Sequence, residues 1–564
     1  MNDSAPRRDA PAMIVVGGDA LAFATAREIS QMQGHRVTVL WREDAEVARS
    51  VAAIGARFVA GRPESLEALE RAGVGEAATI LALSPDDQLN LRTALRARDA
   101  NPKIRIVLRQ FNRTLARKIE QNLPDCSVVS LAWQSAATYA AAALDPSCFH
   151  GLQFPEPDGP LTGFAARIAE AAGLAGLSIA EAEAATGLRV VALDGRTALP
   201  RDERIPAGAR LVLFGTVANL VAAQPRRPAP ARGGWRARPM LPRGTWRRID
   251  PIFAVFGLAG IALFGLGTWH FRSSLGSDWL TAAYFVLATM TTTGYGDITP
   301  NHANAGDVLT AMGLMLSGVL LTGIFIAFAA SLLTQARWVR MQGLRPIHRR
   351  GHIVVCGAGS IGSGVIDLLL GFGRPLVVIE RHPDSAMIER ARDQGFDLLT
   401  GDASRDDTLN LCNLAAAHSL IALTNVDTLN LEIALGARVR NPSMPIVLRI
   451  AEASFAASIA RHFDFETTFS AAALAAPTCA GLSRQPGARG RLELGGQEYG
   501  IRELVLGGGA EPPRGAIALA AARGAGLELI GDFAEAAPGE PVLTMVPLAQ
   551  SAEARPSLAR LAGN

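Results

Sequence analysis

The sequence predicts a short α-helical membrane region flanked on both sides by α/β domains with doubly wound parallel sheets. Three observations predict it. Two long runs, Ile252 to Phe271 and Val308 to Ala336, contain no Lys, Arg, Asp or Glu. A glycine-rich loop, "TTTGYGDITP" from Thr291 to Pro300, lies between them. Residues 80–110 align without gaps to residues 420–450, with 16 of 31 positions identical at a constant offset of 340.

Composition sets the outer bounds. The 564 residues carry 55 Lys and Arg against 52 Asp and Glu, a formal net charge of +3, and 49% are hydrophobic. That length admits several domains. The balanced charge gives no reason to expect a nucleic-acid partner. Cys126, Cys148, Cys356, Cys412 and Cys479 are scattered without CxxC spacing, the pattern of free thiols in a reducing compartment. The opening stretch "MNDSAPRRDAPAMIVVGG" has no apolar core followed by a cleavage site, so no signal peptide is expected.

The repeat places one α/β domain at 13–145 and another at 352–485. The same offset pairs Gly17 with Gly357, Gly55 with Gly395 and Gly61 with Gly401. In the second copy "HIVVCGAGSIGSGVIDLLL" reads as an apolar strand, a glycine turn and a helix. "PLVVIE", a helix around Ala386–Gln394, "DLLTGD", "SLIALTN", another helix and "PIVLRI" follow. Strands separated by helices imply a Rossmann-like, doubly wound parallel sheet. A small α+β lobe is expected after each copy, at 160–220 and 488–550, the first carried by "RVVAL" and "RLVLFG". These copies resemble the regulator-of-potassium-conductance (RCK) domain, related to the TrkA-N and TrkA-C parts of the Trk and Ktr potassium uptake systems.

Residues 222–250 form an Arg/Pro-rich linker with eight arginines, five prolines and one acid. Against a membrane span such a run suits lipid headgroups better than nucleic acid. The 20 residues from Ile252 to Phe271 are enough, at ~1.5 Å per helical residue, to cross a ~30 Å hydrocarbon core. The second span is expected at 308–336, within a pore region of 251–336. Arg337, Arg340, Arg345, Arg349 and Arg350 follow it, whereas the connection between the spans carries only Arg272, Asp278, Asp297 and Asp307. The positive-inside rule then places both termini in the cytoplasm of a multi-pass protein.

Residues 278–290 read as a helix too short to cross, leading into the loop 291–297. Non-helical backbone at membrane depth is tolerated only where protein buries it or where it lines a water-filled path. Gly294 and Gly296 adopt backbone angles that other residues avoid, so successive carbonyls can face one way. Rings of such carbonyls replace a cation's hydration shell. Thr292 adds a hydroxyl at the inner end, Tyr295 packs behind the backbone, and Asp297 places charge at the outer mouth.

"TTGYGD" resembles the selectivity filter of potassium channels, with Thr293 where the common pattern has valine. The resemblance implies K+ held by Thr292, Thr293, Gly294 and Tyr295, and a homotetramer in a prokaryotic inner (plasma) membrane. Gly318, 22 residues beyond Gly296, stands near the bending glycine of such channels; close helix packing is its other reading. No membrane helix carries arginines at every third position, so no voltage sensor is expected.

A ligand site is expected in the second copy. In "GAGSIG", Gly357 makes the tight turn, Gly359 admits a pyrophosphate and Gly362 lets the helix pack close, with Ser360 and Ile361 between them. Glu380, 18 residues past Gly362, ends the next strand where an acid binds ribose hydroxyls, and Arg381 follows it. Asp402 and Ala403 fall on the family's adenine-side loop, although Asp402 reads equally well as a helix cap. The ligand expected is ATP, ADP, AMP or NAD(H), acting on the second span through the connector 337–351. Ca2+ is a further candidate, through acids such as Asp384, Asp406 and Asp407. The first copy reads "GGDALA", with Asp19 and Ala22 in place of two glycines and Trp41 in place of Glu380. A carboxylate ~4 Å from a phosphate costs about 4 kcal/mol at an effective dielectric of 20, so this copy is expected not to bind a dinucleotide in the usual pose. Two rivals are a weakly selective cation channel and a membrane-anchored NAD-dependent oxidoreductase. No His/Asp or Tyr/Lys set fits the latter, and no enzymatic activity is expected.

Overall fold

The computed structural model describes residues 11–32, 35–154, 162–170, 173–216, 219, 251–300, 304–341, 346–485, 487–505, 512–523 and 526–548. The expected linker 222–250 and residues 342–345 of the connector lie outside them. The chain divides into two compact units, Met1–Arg227 with Pro346–Asn564, and Pro228–Arg345.

In the first unit, the first copy forms six parallel strands: β1 (Ala12–Val16), β2 (Arg36–Trp41), β3 (Arg57–Ala60), β4 (Ala77–Ala82), β5 (Arg105–Arg109) and β6 (Cys126–Val129). Their spatial order is β3-β2-β1-β4-β5-β6. Ile14, Val15 and Val16 are almost wholly buried, as required of a central strand covered on both faces. The order reverses beside β1, so the glycine turn after it opens at the crevice where such sheets take ligands. Strands β7 (Cys148–Phe154), β8 (Thr162–Glu170), β9 (Arg189–Leu193) and β10 (Arg210–Thr216) build an antiparallel lobe in the order β7-β8-β10-β9.

The second copy repeats the design. Its strands are β11 (Ile353–Cys356), β12 (Leu376–Glu380), β13 (Asp397–Thr400), β14 (Ser419–Ala422), β15 (Ile446–Ile450) and β16 (Thr468–Ser470), ordered β13-β12-β11-β14-β15-β16. A five-stranded antiparallel lobe follows, β17 (Ala488–Leu494), β18 (Gln497–Val505), β19 (Ile517–Arg523), β20 (Gly526–Leu529) and β21 (Pro541–Pro547).

The copies exchange helices. Helices α1 (Ala20–Gln31) and α2 (Leu131–Leu144) belong to the first copy. Helix α2 packs on Ser360–Gly371 of the second copy, and Ala471–Leu482 of the second copy packs on α1. Small residues make this possible: a methyl built on Gly364 would lie 3.2 Å from the Ala136 Cβ. Side chains then bridge the copies, with the Tyr139 hydroxyl donating to Phe469 O at 3.0 Å and Ser419 Oγ to Ala143 O at 2.7 Å. The two lobes share a core that includes Leu152, Phe214, Tyr499 and Met545.

The second unit is built of α3 (Pro251–Ser274), α4 (Trp279–Met290) and α5 (Ala305–Met341), with the exposed loop 291–297 between α4 and α5. Helix α5 outruns the apolar stretch 308–336 and takes in Asp307 at one end and Arg337 and Arg340 at the other. Phe271, Phe285, Val286, Ala311 and Leu314 form its core, with the Phe271 and Phe285 rings edge to face at 4.7 Å. Among the described residues, Ala305–Ala327 is the stretch long and apolar enough to cross a membrane. Only 17% of it is buried, so it presents an apolar surface that lipid or protein must cover. Buried Asp307 accepts from His270 Nε2 at 3.0 Å and from the Ser274 hydroxyl, tying α3 to α5.

Candidate functional site

Asp278 caps α4, accepting the Leu280 N–H at 3.3 Å, and the helix then unwinds into the loop. Ala288 O takes both Thr293 N at 2.9 Å and Gly294 N at 3.2 Å. Thr292, Gly294 and Gly296 have φ of +57°, +50° and +76°, while Thr293 and Tyr295 stay outside the left-handed region. Left-handed backbone at alternate residues is the pattern that lets successive peptide planes face one way. Thr292 does this without being glycine, a strain of about 1 kcal/mol or more that surrounding structure must hold. The extra hydroxyl of Thr293 meets Thr291 Oγ1 at 2.9 Å, and Thr291 itself donates to Leu287 O at 2.8 Å. The Tyr295 ring stacks on that of Tyr284, and Tyr295 is 71% exposed. Gly318 presses on this assembly, because a Cβ there would stand 2.1 Å from Met290 O. The contact it makes is one of close packing.

The glycine turn of the second copy joins β11 to α6 (Ser360–Gly371). Gly357 has φ +95°, and a Cβ on Gly362 would lie 2.1 Å from Gly357 O, so the helix seats directly on the turn. A Cβ on Gly359 would meet nothing within 4 Å, leaving the mouth of the turn open. Glu380 folds back on it, accepting Ala358 N–H at 2.7 Å and His382 N–H at 3.2 Å. Arg381 pairs with Asp402 at 2.5 Å. Asp402 caps no helix, since it accepts the Ser404 N–H and hydroxyl, both at 3.0 Å. Burial pushes its carboxyl upward, but the Ser404 bonds and the Arg381 charge outweigh this and hold it below the usual carboxylate range. Ser360 is exposed, whereas Ile361 and Ala403 are buried in the core, so any ligand contact from the last two is through backbone.

In the first copy the same place is filled. Trp41 O and Glu380 O accept from Gly61 and Gly401 at 2.8 and 2.9 Å, so the two residues hold the same backbone position. The Trp41 indole lies against Gly18, where a Cβ would come within 2.3 Å of Nε1. Asp19 caps α1 and pairs with Arg109 at 2.6 Å. With Ala22 in place of glycine, the turn opens to φ +149° at Gly17.

Three acids named for calcium do not gather. Asp384 caps Ser385–Gln394, Asp406 pairs with Arg440 at 2.8 Å, and among the described residues no group of three His, Cys, Asp or Glu is placed to hold a metal. Residues that motif reading passed over are Tyr284, Arg109, Arg449, Asn90 and Asn430. Asn430 donates to Thr424 O and Arg449 O at 3.0 and 2.9 Å, as Asn90 does to Ser84 O and Arg109 O at 2.7 and 3.0 Å. A signal existed: both pairs are among the identities of the repeat.

Comparison with known proteins accords with this layout. Residues 13–129 and 353–470 match the TrkA-N domain, and residues 252–335 match an ion channel family. Probable potassium channel protein 2 of Methanocaldococcus jannaschii is 28% identical over 183 residues, 31% of this chain and 53% of that protein. Voltage-gated potassium channel Kch of Escherichia coli is 25% identical over 177 residues, 31% of this chain and 42% of that protein. The chain thus spans about half the length of these curated relatives. The fold of the solved GsuK channel is similar, at TM-score 0.51 and 15% identity over 96% of this chain and 77% of that one. The matched families are those of a channel and its regulatory domain, not of an enzyme.

Proposed function

With an ion-channel domain between two TrkA-N domains, we propose that this chain is the subunit of a potassium-selective channel, gated by an adenine nucleotide or NAD(H) on its second α/β copy. The observation that carries the reading is the alternation of left-handed backbone at Thr292, Gly294 and Gly296. One chain supplies one such segment, and a closed ring of carbonyls around a dehydrated K+ needs four, so the assembly is a homotetramer. The arginines outside both spans set both termini in the cytoplasm of a prokaryotic inner membrane, where lipid headgroups meet the linker.

Gating runs from the turn at Gly357 through the second copy to the connector. The described part of that connector is stitched to this copy: Ile347 N donates to Leu411 O at 2.8 Å, Gly351 N to Ala416 O at 2.7 Å, and Asn413 Nδ2 to Arg349 O at 2.9 Å. Shifting a gate from 1:99 to 99:1 takes ~5.5 kcal/mol of differential binding, or about 1.4 kcal/mol from each of four sites. Gly318 is then the point where α5 bears on the end of the short helix that leads into the loop.

The test is rubidium flux into liposomes holding the purified tetramer, with NAD+, NADH, ATP, ADP, AMP and Ca2+ applied in turn. Flux that one nucleotide changes severalfold is expected. No flux under any condition overturns the channel reading, and a response to Ca2+ alone overturns the nucleotide reading. Reversal potentials in mixed potassium and sodium separate a selective filter from a weakly selective one.

A further inference from the structure

In the first copy an anion already sits at the start of α1, and it is part of the chain. Asp19 Oδ1 accepts the Ala22 N–H at 3.1 Å, and Oδ2 takes Arg109 Nη1 at 2.6 Å. A second bond, from Nη1 to Leu83 O at 3.0 Å, positions that guanidinium. The second copy keeps the guanidinium and omits the carboxylate. Arg449, at the 340 offset, directs Nη1 to Leu423 O at 3.4 Å and Thr424 O at 3.2 Å, and Leu423 is the counterpart of Leu83.

Gly359 stands where Asp19 does, with open space beside it. Helix α6 has no side-chain cap, so the Gly362 N–H, counterpart of that of Ala22, has no side-chain acceptor. The neighbouring acid does not substitute. Asp427 is engaged with the Ala451 N–H at 3.0 Å, as Asp87 is with the Phe111 N–H at 2.9 Å. Among the described residues no carboxylate pairs with Arg449.

We infer that Arg449 binds the phosphate of the nucleotide, an anionic oxygen of which takes the position that the Asp19 carboxylate fills in the first copy. The inference rests on the nucleotide reading of the glycine turn and names the residue that recognises the ligand's charge. A guanidinium held only by carbonyls keeps its full charge, and phosphate offers it the charge-assisted bonds that carbonyls do not. The helix N-terminus adds its own partial positive charge at the same point. The first copy is by the same logic permanently self-liganded, with Asp19 standing in for phosphate and the Trp41 indole covering the turn.

Isothermal titration of ADP and of adenosine into the full-length tetramer tests this, on wild type, R449Q, R449K and G359D. R449Q is expected to weaken ADP about tenfold to hundredfold, the loss of one bond to a charged group, and to leave adenosine unchanged. R449K recovers part of the ADP affinity. G359D removes the preference for ADP over adenosine, because the new carboxylate pairs with Arg449. An unchanged ADP-to-adenosine ratio in R449Q overturns the inference, and so does an equal loss of both, which marks a residue that holds the fold. If wild type binds neither compound, the nucleotide reading itself falls.

Discussion

Tyr284 and Asp297 are joined across the bend from the short helix to the loop. The phenol donates to Asp297 Oδ2 at 2.9 Å, and its ring lies parallel to that of Tyr295 with centroids 6.5 Å apart. One side chain therefore braces both the mouth of the loop and its aromatic residue. Tyr284→Phe keeps the stacking and deletes a hydrogen bond to a charged acceptor. The assembly is expected to survive on size exclusion while rubidium flux falls severalfold. Unaltered flux and selectivity would show that the bond does not hold the filter.

Gly318 and Gly313 lie on the same helix but differ in surroundings. A Cβ on Gly318 would stand 2.1 Å from Met290 O, a backbone atom, whereas one on Gly313 meets nothing within 4 Å. Gly318→Ala must move α5 away from α4, at a cost of about 1–3 kcal/mol, and is expected to lower the yield of assembled protein and the flux. Gly313→Ala should leave both near wild type. Equal behaviour of the two variants would leave Gly318 with no packing role.

Gly362→Ala introduces a methyl 2.1 Å from Gly357 O. The first copy carries alanine at this position only with its turn opened at Gly17. Nucleotide binding is expected to weaken at least tenfold with the thermal midpoint lowered by a few degrees. Wild-type affinity in this variant would separate the helix seating from ligand binding.

His150 lies on β7 with Nε2 buried and, among the described residues, without a hydrogen-bond partner, and burial lowers its pKa from 6.5 to about 4. The unfolded chain thus binds this proton more readily than the folded one. Its contribution to stability is complete above about pH 6.5 and declines as pH falls toward 4. Denaturant titrations of wild type and His150→Gln at pH 7 and pH 5 check the sign. The wild type should lose more stability between these two values than the variant, and an equal loss removes His150 from the acid response.

The loop, the helices α3 and α5 and both α/β copies were legible in the chain because each signal is local. Charge-free runs, glycine spacing and strand-length apolar stretches are properties of consecutive residues, and the repeat doubled the α/β signal. Tyr284 and Arg449 were not legible in that way. Arg449 lies one residue before the end of β15, two strands from β11 and its glycine turn, and sheet order alone sets that spacing. The cap reading of Asp402 came from its place before a helix, yet its carboxylate accepts from Ser404 and pairs with Arg381 instead.

From the sequence alone came the division into a membrane core and two regulatory copies, and the identity of the copy with an open glycine turn, because backbone freedom and burial are set residue by residue. Only the tertiary structure decided that the copies pair by exchanging α2 and Ala471–Leu482, that Gly318 abuts Met290, and that Asp19 neutralises Arg109 while Arg449 stands without a carboxylate partner among the described residues. Those are relations between groups far apart in the chain, and hydrogen bonds and van der Waals contacts act only at the distances folding creates.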